Sequence, residues 1–338
     1  NNKIDSIRAA STFSLYDIYI VTATNAGTNL IANNVISNNA INGTSGDFGS
    51  GIFIGGGAVT TNVYYNSVSI TGTFTGGNQP NFAFAIGGSN PVVDVRNNAF
   101  YATAVNGGGT GLGIGAYAVG YGYSTFTSLT SNNNDYFTAG TEAKFAKTGS
   151  LATAAGTDVA NLAALQAATA QDAASISVDP LFNGLSVLTP QIGSPLVGAG
   201  APAGGITTDI LCATRSGSTP TIGAYEAAAD ANPPAISYTP LTISCSTGDR
   251  PLNGVTITDV TGVPTAGALQ PRVYYRKNAG TWFSSQGTLA SGSGTNGTWN
   301  FTIVAADMGG VAAGDVIYYY VIAQDIAGTP NIAANPGV

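Results

Sequence analysis

The chain has 338 residues, room for two domains, and a 44% hydrophobic fraction that supplies an ample core. Only 8% of residues are charged, and ten Lys plus Arg stand singly against a net charge of −7, which excludes a nucleic-acid or anionic-membrane surface. No run of about 18 apolar residues exists to span a membrane.

Abundant Gly and Asn with few charges give the profile of an extracellular, loop-rich β protein whose surface is hydroxyl and amide rather than ionic. The chain begins at Asn1 without a signal peptide, so it is expected to be a mature or trimmed product.

Three asparagines recur every 32 residues in matching apolar surroundings: Ile31-Ala-Asn-Asn34-Val-Ile36, Val63-Tyr-Tyr-Asn66-Ser-Val68 and Val95-Arg-Asn-Asn98-Ala-Phe100. A weaker copy, Ser131-Asn-Asn-Asn134-Asp-Tyr136, follows after 36 residues. A second landmark keeps step with the first: Ile18-Tyr-Ile20, Ile52-Phe-Ile54 and Phe84-Ala-Ile86. A fixed period of this size predicts a solenoid, in which each repeat buries its apolar face only by stacking on its neighbours.

Alternating apolar and polar residues rich in β-branched and aromatic types, as in Val92-Val-Asp-Val-Arg96, make the repeat units strands. Glycine-rich stretches at Gly43–Gly51, Thr71–Asn81 and Asn106–Gly111 supply the corners and loops of a parallel β-helix. The repeating Asn34, Asn66, Asn98 and Asn134 take a left-handed bend and bond coil to coil as an internal ladder, or they simply favour turns; the fold is the same either way.

After about residue 150 the pattern changes. The segment from Thr157 to Ala174, rich in Ala and Leu, predicts a short helix capped by Thr157 or Asp158. Short strands and turns at Ser177–Phe182, Gly193–Gly200 and Ile222–Glu226 finish the solenoid, giving a β-helix domain over residues 1–228. Small residues leading into Pro233-Pro234 mark a stiff linker at 229–234.

Residues 235–338 form a second domain, with strands expected at Ala235–Ile243, Gly254–Thr258, Pro271–Lys277, Trp299–Val304 and Val316–Ala323. Turns between them have the spacing of a β-sandwich. Trp282, Trp299, Phe301 and Tyr318 to Tyr320 are expected to fill its core. The two cysteines, Cys212 and Cys245, lie on opposite sides of the linker and cannot be an antibody-type intersheet bridge. In an oxidising compartment they are expected to pair with each other, tying the last solenoid loop to the start of the sandwich.

Asp179-Pro-Leu-Phe, Ser194-Pro-Leu-Val-Gly-Ala-Gly, Thr208-Asp-Ile with Arg215, and Pro220-Thr-Ile-Gly-Ala-Tyr-Glu226 follow in order. This series resembles the C-terminal signature of secreted bacterial right-handed parallel β-helix proteins of the pectate-lyase-like superfamily. Pro271-Arg-Val-Tyr-Tyr-Arg-Lys-Asn, with Trp282 and Tyr318-Tyr-Tyr-Val-Ile-Ala-Gln-Asp325, resembles the immunoglobulin-like module that follows in large surface proteins, many exported by the type IX route. The resemblance implies an all-β chain, β-helix then immunoglobulin-like sandwich, at the cell exterior. The family commonly has Asp-Gly where Leu211-Cys212 stand, so an acidic ligand at 211 is lost.

Lyases of this fold need calcium held by several carboxylates plus a basic residue, and hydrolases need two or three carboxylates at the scissile bond. The solenoid has eleven acids along its length, and no two stack at the 32-residue offset: opposite Asp94 and Arg96 stand Asn62 and Tyr64. Without histidine there is no Ser-His or Cys-His nucleophile. Asp179, Asp209, Arg215 and Glu226 form the densest ionic set, either a calcium or substrate site or, as favoured here, an ion-pair cluster pinning the last coils. Tyr64, Tyr65, Tyr117, Tyr121 and Tyr123 either stack on sugar rings or pack in the core.

The expectation is a non-enzymatic structural or adhesive cell-surface protein that self-associates into fibres or a surface layer or binds other surface components. It needs no cofactor, though calcium fits the acidic set. The alternative is a protein that binds or degrades polysaccharide.

Overall fold

The computed structural model describes residues 1–9, 15–20, 27–41, 49–56, 59–74, 80–88, 90–106, 115–152, 155–227, 230–327 and 330–337. The chain divides into two units, Asn1–Ala228 and Ala229–Val338. Asp230, placed in the linker by its sequence, belongs to the second unit, where its carboxylate accepts from the Thr261 hydroxyl at 3.1 Å. The glycine-rich corners expected at 43–48, 75–79 and 107–111 lie outside the described residues.

The first unit is a β-helix-like solenoid of three stacked parallel sheets. The first sheet stacks Lys3–Asp5, Val35–Ile41, Ser67–Phe74, Ala99–Asn106 and Asp135–Ala139, with Arg8–Ala9 also on Val35–Ile41. The second stacks Thr28–Ala32, Thr60–Tyr64, Val93–Arg96 and Leu129–Asn132. The third stacks Tyr16–Ile20, Gly49–Ile54, Asn81–Ile86, Ala116–Tyr121 and Ala143–Thr148.

Register follows the sequence period. Ile31 pairs with Val63 and Val63 with Val95; Ile36 pairs with Val68 and Val68 with Phe100; Ile18 pairs with Ile52 and Ile52 with Phe84. Like residues therefore superpose into apolar columns, and Phe84 and Phe100 stack across sheets at 4.9 Å. Gly56 and Gly88, also 32 apart, touch so closely that a Cβ on Gly88 would lie 2.3 Å from the Gly56 Cα.

The corner between the second and first sheets carries the ladder. Asn34 donates its backbone N–H and Nδ2 to Asn66 Oδ1 at 3.0 and 2.8 Å. Asn66 does the same to Asn98 at 2.9 Å, and Asn98 to Asn134 at 2.9 and 3.0 Å. Asn2 adds a first rung, donating twice to Asn34 Oδ1; Lys3 to Asp5 pair with Val35 to Ser37, so the repeat begins one coil earlier than its apolar landmarks reveal.

The left-handed residue is not the ladder asparagine but the one before it: Asn33, Tyr65, Asn97 and Asn133 have φ between 54° and 59°. That bend turns the ladder amide inward.

The far end of the solenoid is closed. Thr157–Val159, expected as a helix start, instead pairs antiparallel with Ala143–Thr148, because Asp158 is drawn to Lys144 and the Tyr117 hydroxyl. The helix is Leu162–Thr169, capped by Asn161, whose Oδ1 accepts from Ala164 N, and it buries Leu165 in the core. The last rung, Asn134, ends on Ser175 and Asp172, and Asp172 Oδ1 also accepts from Ser131, Ser175 and Tyr136. Burial raises the Asp172 carboxyl above its ordinary value despite these donors.

The second unit consists of two antiparallel sheets. One orders Ala235–Ser237, Arg250–Thr258, Asn296–Ile303 and Thr288–Gly292; the other orders Phe283–Gln286, Arg272–Lys277, Ile317–Gln324 and Ile332–Asn335. Leu252, Val255, Ile257, Trp299 and Phe301 of the first meet Val273, Tyr275, Val321 and Ala323 of the second in one core. The first strand stops at Ser237 rather than Ile243. Pro240 has no N–H for the ladder, and Leu241 N instead donates to the Tyr319 hydroxyl at 2.7 Å.

Replacing Asn66 by Leu should remove a buried acceptor from Asn34 and three donor contacts of its own, to Ile31 O, Tyr64 O and Asn98 Oδ1. Each donor left unpaired costs about 1–3 kcal/mol. A loss of about 3–5 kcal/mol is expected, read from denaturant midpoints. Unchanged unfolding would reduce the ladder to a turn preference.

Candidate functional site

Residues 196–226 run back along the outside of the solenoid and are held by the left-handed column. Asn133 Nδ2 donates to Ala199 O, Asn97 exchanges hydrogen bonds with Ala201 in both directions, the Tyr65 hydroxyl donates to Ala201 O, and Asn33 Nδ2 donates to Thr208 O. Each doublet therefore divides its work: one residue holds this strap outside, the next holds the adjacent coil inside.

Arg215 anchors the strap. Its guanidinium donates to Thr221 O and Glu226 Oε2 at 3.3 Å, and to Asn33 Oδ1, Gly223 O and Ala224 O at 2.9 to 3.2 Å. It lies 4.0 Å from the centre of the Tyr65 ring and is 5% exposed. Burial lowers its pKa, opposed by Glu226, but a guanidinium stays charged.

Asp209 shapes the neighbouring loop, accepting from Leu211 N and Ala213 N at 2.8 Å and from Glu226 N at 2.9 Å. These three side chains form a structural pin with no free carboxylate edge. Asp179 is not part of it: it is exposed and caps Leu181 N at 2.9 Å.

The Cys212–Cys245 bridge expected from the sequence is not formed; both thiols are free and exposed. Cys212 has φ 66°, the conformation glycine adopts without strain. Its loop is closed by Asp209 and needs no covalent tie.

Three further described acids of the solenoid are also occupied by donors of this chain. Asp94 accepts from Arg96 at 2.7 Å and the Tyr64 hydroxyl at 2.8 Å, Asp5 from Ser37 at 2.6 Å, and Asp135 from Val178 N at 3.1 Å. The tyrosines named from sequence are all buried: Tyr64, Tyr65, Tyr117, Tyr121 and Tyr123 are at most 7% exposed. None offers a ring face to a sugar.

Two arrangements in the second unit were not anticipated. Asp230, Asp259 and Asp325 come from three separate loops, and one carboxylate oxygen of each lies within 4.8 Å of the others. Among the described residues this is the one grouping of three metal-ligating side chains, and its hard oxygens suit calcium. Local donors already offset the repulsion: Thr261 N, Thr261 Oγ1 and Gly262 N to Asp259, and Asn331 N and Nδ2 with Ala327 N to Asp325. No sequence motif joins these three positions.

The second arrangement is the outer face of the sheet containing Arg272–Lys277. Trp282 and Tyr318, expected in the core, are 38% and 49% exposed, and Tyr320 stands beside them, while Tyr275 and Trp299 point inward. Arg272, Tyr274 and Arg276 alternate with the buried Val273 and Tyr275. This period of two was readable in the sequence. Arg276 lies 4.7 Å from the Trp282 ring centre and 5.3 Å from that of Tyr318.

Two outcomes test the electrostatics. Arg215→Lys keeps the charge but cannot reach five acceptors; a loss of about 3 kcal/mol is expected in denaturant unfolding, in line with breaking a buried charged pair. Asp17, in the first strand of the third sheet, has one oxygen on Asn39 Nδ2 and the other buried without a partner among the described residues, and burial raises its pKa to about 7. A raised folded-state pKa means the native state holds the extra proton, so stability is lost as pH rises from about 4 to about 7. Asp17→Asn should flatten that decline and raise the melting temperature at pH 8, measured by thermal melts from pH 4 to 8.

No family model, curated protein or solved structure matches the chain, so a reading of its function rests on this geometry.

Proposed function

We propose that this chain is an extracellular structural or adhesive element of a bacterial cell surface. In this reading the solenoid is a right-handed parallel β-helix of the pectate-lyase-like kind, the second unit is an immunoglobulin-like module, and export follows the type IX route. The observation that carries the reading is the employment of the solenoid's carboxylates. Asp94, Asp158, Asp172, Asp209 and Glu226 each hold protein donors, where a lyase or glycosidase needs acids free to meet calcium, water or a glycosidic oxygen.

A stiff rod with a side-chain ladder through its length suits a stalk or spacer. Among the described residues Lys3–Asp5, Tyr16–Ile20 and Thr28–Ala32 each end a sheet, and such edges template pairing with further strands, whether of this protein or of another copy in a fibre or layer. The alternative, polysaccharide binding, is favoured by the exposed rings and arginines of the second unit; no helix among the described residues is long and apolar enough to cross a membrane.

Incubation with neutral and acidic polysaccharides, with and without calcium, should release no new reducing ends and no unsaturated products. Cleavage that disappears on chelation, or in the exposed variant Asp179→Asn or in Glu226→Gln, would replace this reading with an enzymatic one.

A further inference from the structure

We propose that the outer face of the sheet formed by Phe283–Gln286, Arg272–Lys277, Ile317–Gln324 and Ile332–Asn335 binds a uronate-bearing acidic polysaccharide, with Arg276 receiving a carboxylate and Trp282 and Tyr318 bordering the sugar. The inference deepens the adhesive reading and rests on it only in requiring that the polymer be held rather than cut.

Charge bookkeeping singles out this face. Most cations with described side chains have a partner: Arg96 pairs with Asp94, Lys144 and Lys147 with Asp158, Arg215 with Glu226, and Lys277 with Asp315. Among the described residues Arg276 has neither a carboxylate nor a hydrogen-bond acceptor, and its Nε is buried without one. Arg272, on the same face, uses only its Nε, on the Ser284 hydroxyl at 3.2 Å. Among the described residues Lys3 and Arg250 also lack a carboxylate partner, but only Arg272 and Arg276 share one face. Two such cations on one face in a chain of net charge −7 mark where an anion from outside would be accepted.

The geometry favours a planar anion on a sugar. Arg276 stands opposite Tyr318 on one neighbouring strand and stacks on Trp282 from the other, so rings cover its faces and hold its plane. The fork is thereby preset to donate in that plane to a carboxylate. Four residues along the strand, about 13 Å away, Arg272 offers a second charge, and between them Tyr274 and Tyr320 stack at 5.3 Å. Cation, paired rings and cation therefore lie in a row along one flat surface. A peptide would seek backbone pairing or pockets, but the backbone of Arg272–Tyr275 is paired on both sides. A sugar chain needs ring edges, hydroxyl partners such as Ser284 and Gln286, and spaced cations.

The test uses the whole chain in affinity electrophoresis and calorimetry with polygalacturonate, its carboxyl-reduced neutral form, dextran sulfate and polyglutamate. Polygalacturonate should bind, the reduced polymer should not, and Arg276→Gln should weaken binding at least tenfold with an unchanged melting curve. Trp282→Phe, which keeps a ring, should weaken it less than Trp282→Ala. No binding of polygalacturonate, binding unaffected by Arg276→Gln, or equal binding of polyglutamate and dextran sulfate would overturn the proposal, the last by reducing it to ion exchange or peptide recognition. Binding accompanied by chain cleavage would instead defeat the structural reading while leaving the face as a substrate-holding surface.

Discussion

The solenoid depends on what one buried amide does in each coil. An asparagine inside an apolar stack is costly unless its donors and acceptor are all used. Here each Oδ1 takes two N–H groups from the coil before, and each Nδ2 reaches the coil after and nearby carbonyls. A rung is satisfied only when both neighbours are in register, so the same bond that closes a corner also forbids a slip of the stack. Alignment of the Ile, Val and Phe columns follows from that constraint.

The ladder also explains the molecule's asymmetry. Its last rung meets a purpose-built terminus of Ser175, Asp172 and the Leu162–Thr169 helix, whereas the rung of Asn2 simply donates onward to Asn34. Charge is distributed by a similar economy. In the first unit scarce ions serve the backbone, fixing loops and anchoring the strap. In the second, the acids of the Asp230, Asp259 and Asp325 group hold neutral donors of their own loops, while Arg272 and Arg276 have no carboxylate partner among the described residues.

What could be read from sequence is what repeats. The 32-residue interval specified the stacked strands and the register of Asn34, Asn66 and Asn98, because period and hydrogen bonding are the same fact at two scales. The first coil was hidden because Asn2 to Ile4 alone is too short a landmark to be read against its neighbours. Features assembled from unrelated loops had no such signal. Asp158 read as a helix cap because acids favour that position, but Lys144 and Tyr117, distant in sequence, claimed it for a strand. Tyr318 and Trp282 were misplaced for a different reason: aromatic content was weighed without the alternation that separates the two faces of a strand.

The strap has a mechanical meaning. It crosses from the coil of Asn133 to that of Asn33, and the chain then returns and leaves past Glu226, beside Arg215 and the first coils. Tension drawn through residue 227 is thus delivered to the near end of the stack rather than to its last turn. Pulling would have to shear Arg215 and several parallel bonds together before any coil could peel away, so the rod is built to fail late and all at once instead of unwinding turn by turn.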